Sequence, residues 1–112
     1  MINGAHIIIY SKNADADKTF FRDVLNWPHV DVGHGWLIFK LPPAELAVHP
    51  SDANDLHEVY LMCDDLDAEM TALAAAGVVC DEPLAQGWGR MTRLTLPGGG
   101  KVGLYQPRHE RP

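Results

Sequence analysis

Four side chains carry groups that hold divalent cations or move protons: His6, Glu45, His49 and Glu58. Neutral imidazole nitrogen and carboxylate oxygen are donors that zinc, manganese and iron take from proteins, and a nearby free carboxylate can serve as a general base. These four are scattered along the chain without a compact ligand motif, so only the fold can gather them. The alternative use of such exposed groups is simple solvation or a surface ion pair. His29, His34 and His109 fall in turns or in the tail and carry less weight. Residues 98–101 (GGGK) have the outline of a phosphate loop but lack its first glycine and the Ser or Thr after the lysine, so they read as a strand-connecting turn. Cys63 and Cys80 sit among strand-like residues, where a reduced thiol packs as a small hydrophobe.

The elements that must position these groups come from periodicity. Residues 5–10 are a β-rich run. Phe20, Phe21, Val24 and Leu25 then recur at helical spacing, with Asn13 or Asp15 as cap and an end near Asn26 before Pro28. Residues 30–32, 36–41 and 45–49 read as three short strands divided by glycines and prolines. The order then restarts. Residues 57–63 are a strand, 66–76 a helix with Leu66, Met70 and Leu73 inward, and Gly77 its stop; residues 78–80, 90–96 and 101–105 are three more strands. Strand, helix and three strands thus occur twice, offset by about 52 residues, a moderate repeat signal.

Alternation within the strands assigns the faces. Ile7 and Ile9, Leu46 and Val48, Val59, Leu61 and Cys63, and Val102 and Leu104 form rows toward the helices. The opposite rows hold His6, Ile8 and Tyr10; Glu45, Ala47 and His49; Glu58, Tyr60 and Met62; and Lys101, Gly103 and Tyr105. A sheet with helices on one side leaves the other to water, a partner or a ligand.

The chain has 112 residues and a mass of 12.4 kDa, the size of one domain spanning 1–112. A compact monomer of this mass exposes about 6,000 Å² and buries roughly two thirds of its extended surface. With 46% hydrophobic and 21% charged residues it is globular, not disordered. A net charge of -6 repels phosphate backbones and anionic lipid, which sets nucleic acid aside as a partner. No apolar run is long enough to span a bilayer and no signal peptide is evident, so no membrane association and a cytoplasmic location are expected.

The segments AHIIIYS (5–11), FFRDVL (20–25), ELAVH (45–49), HEVYLMCDD (57–65) and LPGGGKVGLYQP (96–107) together resemble the vicinal oxygen chelate superfamily, which includes glyoxalase I, bleomycin resistance proteins and extradiol dioxygenases. The resemblance runs over residues 2–107. It implies an α+β fold of two βαβββ modules, about 1–52 and 53–107, with a tail at 108–112; the modules curl into an incomplete barrel, often completed in a homodimer.

In metal-dependent relatives each module supplies two ligands. By position these fall on His6, on Glu45 or His49, and on Glu58, where many relatives have His; the last, usually Glu, falls on Gly103. The chain therefore departs from the glyoxalase I pattern at two positions, and true glyoxalase I activity is not expected. The implied cofactor is a divalent metal (Zn, Mn or Fe) on a reduced site of His6, Glu45 or His49, and Glu58, in an enzyme acting on a vicinal-oxygen small molecule, with Glu58 moving a proton. The alternative is a metal-free cup of the bleomycin-resistance kind that sequesters a ligand against Trp36, Phe39, Tyr60, Trp88 and Tyr105.

Overall fold

The computed structural model describes Asn3 and residues 5–112; residue 2, where the resemblance begins, lies outside the described residues. In the C-terminal half, strand β3 (Tyr60–Met62) leads into helix α2 (Leu66–Ala75), followed by β4 (Leu84–Gln86), β5 (Gly89–Thr95) and β6 (Lys101–Pro107). Asp65 starts the helix by accepting the Ala68 amide at 3.1 Å, and Asp67 and Glu69 occupy the turn that the helix dipole favours for acids. The sheet supplies a second cap, because the Leu66 amide donates to Gln106 Oε1 at 2.9 Å. Gly77, at φ 82°, ends the helix; its amide and that of Val78 donate to Ala74 and Leu73.

These strands lie in the order β3-β6-β5-β4, with β3 parallel to β6 and the other pairs antiparallel. Strand, helix and three strands is the βαβββ order expected for this half. Two bounds differ from expectation: residues 57–63 pair only over Tyr60–Met62, and residues 78–80 make only an isolated bridge, Cys80 to Leu94, the three-residue β4 taking the strand position instead. The core forms where the sheet's inner residues Leu94, Leu96, Val102 and Leu104 meet Leu66 and Leu73 of α2 and Phe20 of the first helix. Leu61, Cys63 and Met70 pack around it, as their assigned rows require.

The N-terminal half is less complete. Asn13 caps α1 (Ala14–Thr19), accepting the Ala16 amide at 3.2 Å. The helix then widens into a π turn over Phe20–Val24, with the Leu25 amide reaching back to the Phe20 carbonyl at 3.1 Å. Asn26, at φ 56°, turns the chain away as anticipated. Strands β1 (His29–Asp31) and β2 (Leu37–Phe39) make an antiparallel hairpin.

Residues 5–10 and 45–49, expected as strands, form no ladder, which corrects that reading. Nor do Ile7 and Ile9, or Leu46 and Val48, reach a helix: Ile7 is 49% exposed and Leu46 and Val48 about 90%. Strand propensity needs a neighbour for the backbone groups, and neither segment has one among the described residues.

A buried polar contact joins the halves, beside the exposed pairing of Glu45 with the tail. Asp17 is buried on α1; its Oδ1 accepts the amide of Gly98, in the β5–β6 turn, at 2.7 Å, while Oδ2 has no partner among the described residues. A side chain at Gly98 would collide with the Ser11 hydroxyl. The chain exposes 8712 Å², roughly 2,700 Å² above the area expected for a compact monomer. Its radius of gyration, 14.9 Å, likewise exceeds the expected value of about 13 Å. Among the described residues no helix is long and apolar enough to cross a membrane.

The core assignment makes a direct prediction. Leu66 and Leu94 are the largest fully buried side chains, so truncating either to Ala should cost about 2–5 kcal/mol in urea unfolding. The exposed Leu46→Ala should leave the unfolding free energy of the isolated chain within about 0.5 kcal/mol of wild type.

Candidate functional site

Alternation on β6 sends Val102 and Leu104 into the core and leaves Gly103 and Tyr105 on the face away from α2. The parallel register sets Tyr60 beside Gly103 and Met62 beside Tyr105, and β5 sets Met91 beside Tyr105 and Arg93 beside Gly103. The Tyr60 ring lies over Gly103 so closely that a Cβ there would meet its ring carbons. The strand position where relatives carry a carboxylate is therefore roofed by an aromatic ring, an aromatic-over-glycine pairing common in sheets.

Tyr105 is the hub of this face. Its ring stands edge-on to Tyr60 at 5.8 Å and to Trp88 at 5.3 Å, the arrangement that aromatic quadrupoles favour. Burial raises both phenols above their ordinary value; at Tyr60 the Glu58 carboxylate adds to this and Arg93 opposes it, and at Tyr105 Glu45 adds and Arg111 opposes. Beyond the end of β3 a cleft of ≈ 290 Å³ is walled by Met62, Cys63, Asp64, Glu69, Pro107 and Arg111. Cys63 and Cys80 are free thiols, both raised by burial, with the carboxylates of Glu69 and Asp64 adding at Cys63 and that of Asp81 at Cys80.

Of the five aromatic residues named from the sequence, Tyr60, Trp88 and Tyr105 come together. Phe39 instead packs against Phe21 at 5.8 Å and His29 at 5.5 Å, and Trp36 is 69% exposed. The four ionisable residues do not gather. Glu58 faces Arg93 at 3.9 Å, Glu45 faces Arg111 at 3.7 Å and His109 at 4.0 Å, and His6 and His49 lie on exposed segments. Among the described residues no three His, Cys, Asp or Glu side chains are placed to hold a metal ion, so this arrangement does not fit one. Arg111 is the site neighbour that sequence reading passed over, and His109 the one it gave little weight. Three basic side chains within residues 108–111 of an acidic chain were the available signal.

No protein-family profile matches the sequence, and no curated protein matches it. Solved structures do. The chain superposes on TnmS3, an antibiotic binding protein from a Streptomyces species, with TM-score 0.66 and 23% identity over 96% of this chain and 99% of that one. Lactoylglutathione lyase from Agrobacterium tumefaciens gives TM-score 0.66 and 16% identity over 93% and 92%. A glyoxalase/bleomycin resistance protein from Streptomyces gives 0.61 and 25% over 88% and 95%. The chain has the fold of the glyoxalase/bleomycin resistance/dioxygenase superfamily.

Two outcomes follow from the site geometry. Gly103→Ala should push the Tyr60 ring aside, change the near-ultraviolet circular dichroism of the aromatic cluster, and cost about 1–3 kcal/mol; an unchanged spectrum would refute the ring placement. Because Tyr60, Tyr105, Cys63 and Cys80 are all raised on folding, the folded chain holds their protons more tightly than the unfolded chain. Their contribution is full at neutral pH and is lost as pH rises through the thiol and phenol ranges, so the urea midpoint should fall above about pH 9.

Proposed function

We propose that the chain binds a small aromatic molecule in a cup floored by Tyr60, Trp88 and Tyr105 and completed by a second copy of the chain. The observation that carries this reading is the edge-to-face cluster on the sheet face that no helix covers, next to an open cleft. Ligand pockets for molecules of drug size typically enclose about 300–1,000 Å³, and the adjoining cleft, reached past Met62 and Arg111 and lined by none of the three rings, holds ≈ 290 Å³. The likeness to an antibiotic binding protein supports binding as the use of the fold.

A second copy is supported by area and by backbone. The excess of roughly 2,700 Å² is of the order that one protomer of a large obligate dimer buries. The unladdered segments 5–10 and 45–49 present apolar side chains and unpaired strand groups together, the combination that pairs with another chain. A metal-dependent enzyme on His6, Glu45, His49 and Glu58 is the second reading. It requires the carboxylates of Glu45 and Glu58 to leave Arg111 and Arg93.

The test combines sedimentation with titration of acridine, followed by tryptophan fluorescence. The wild type should sediment as a dimer and bind acridine, and Leu46→Asp with Val48→Asp should give a folded monomer with binding lost. A wild-type monomer at micromolar concentration would refute the dimer, and absence of acridine binding would refute the aromatic cup. Stoichiometric metal in purified protein, lost in His6→Ala, would replace the binding reading with the enzymatic one.

A further inference from the structure

We propose that residues 108–112 are a resident competitor for this cup, their basic side chains occupying the place of a cationic group on the ligand; the inference rests on the aromatic-cup reading above. The tail is held at its root, where the Arg108 amide donates to the Trp88 carbonyl at 2.9 Å. From there it runs beside the aromatic cluster. The His109 ring lies 6.1 Å from that of Tyr105, with Nε2 3.3 Å from the Tyr105 hydroxyl and 4.0 Å from Glu45 Oε2. Arg111 places Nε 3.7 Å from Glu45 Oε1 and Nη2 3.2 Å from Met62 Sδ.

Both basic side chains thus span one carboxylate of the N-terminal half and the uncovered face of the C-terminal sheet. The Glu45 side chain is only 24% exposed, against 64% for Glu58. Among the described residues its basic partners are these two tail side chains and no others, Arg111 as an ion pair and His109 as one only when its imidazole is protonated. Arg111 also lines both the ≈ 290 Å³ cleft and a smaller ≈ 50 Å³ pocket whose wall includes Glu45, so its side chain stands between two open volumes.

The contacts are suited to exchange. They are long and partly exposed, and ion pairs of that kind contribute little to stability. With the tail lifted, the Glu45 carboxylate is left facing the Tyr105 ring, a setting that favours a cation over a neutral molecule through both charge and ring quadrupole. The net charge of -6 attracts the same ligands at longer range. The ligand class is therefore a planar aromatic cation, and the tail lowers its apparent affinity until it is displaced.

Two probes of similar shape separate charge from aromatic area: N-methylacridinium, a fixed cation, and acridine, neutral at about pH 8. Each is titrated against the full chain, a chain ending at Pro107, and the full-length His109→Gln/Arg111→Gln variant, which carries the same test if the truncated chain does not fold. Loss of the tail's charges should tighten N-methylacridinium binding by about three- to tenfold and change acridine by less than about twofold. Glu45→Gln in the tail-free background should abolish the preference for the cation. Equal affinity of all forms for N-methylacridinium, or an equal gain by acridine, overturns the competitor while leaving the aromatic cup intact. Failure of every form to bind either probe overturns the cup and the competitor together.

Discussion

Strand β6 is paired on both edges, parallel to β3 and antiparallel to β5, and nearly every feature of the C-terminal half depends on that double ladder. A strand so held cannot slip by one residue without exchanging its two faces. Its alternation therefore does two jobs at once. Val102 and Leu104 close the core and Gln106 caps α2, while Gly103 and Tyr105 form the centre of the uncovered face. The same strand delivers the chain to the tail, so the position of His109 and Arg111 is inherited from its register.

The C-terminal half was legible because its signals agree. Asp65 as cap, Leu66 and Leu73 as the buried stripe, Gly77 as stop and the 90–96 and 101–105 alternations all point to one local structure, and the packing confirms each. In the N-terminal half residues 5–10 and 45–49 carry strand propensity but form no strand, because pairing is not a local property. Whether a strand finds a partner depends on what lies beside it, and for these segments none of the described residues supplies a ladder. The helix pattern through Phe20, Phe21, Val24 and Leu25 was visible; its widening into a π turn was not, because residue spacing does not reveal a change of hydrogen-bond partner.

At the site, the aromatic part could be read because β-alternation places Tyr60 and Tyr105 on one face and the parallel register brings them together. Trp36 and Phe39 belong to the other hairpin, and periodicity has no means of saying how two hairpins are oriented to one another. For the ionisable residues, position along the chain does not distinguish a ligand from an ion-pair partner. That distinction is made by the nearest guanidinium: Arg93 for Glu58 and Arg111 for Glu45. Gly103 marks the limit of positional reasoning. An absent carboxylate is visible in the sequence, but the ring that fills its space lies 43 residues earlier, on a different strand.

The clasp between Asp17 and Gly98 has a consequence for the order in which the molecule assembles. It closes a loop of 81 residues, and the entropy of bringing such distant groups together is recovered only after the β5–β6 turn already presents the Gly98 amide. The C-terminal sheet and α2, linked by nearer contacts, are therefore the natural early structure, with the first helix docking onto it late. Docking also leaves Asp17 Oδ2 buried without a partner, so part of the gain from the short bond is offset by desolvation. Phe20 in the core and Glu45 against the tail hold the same half, so the clasp completes an attachment that packing begins.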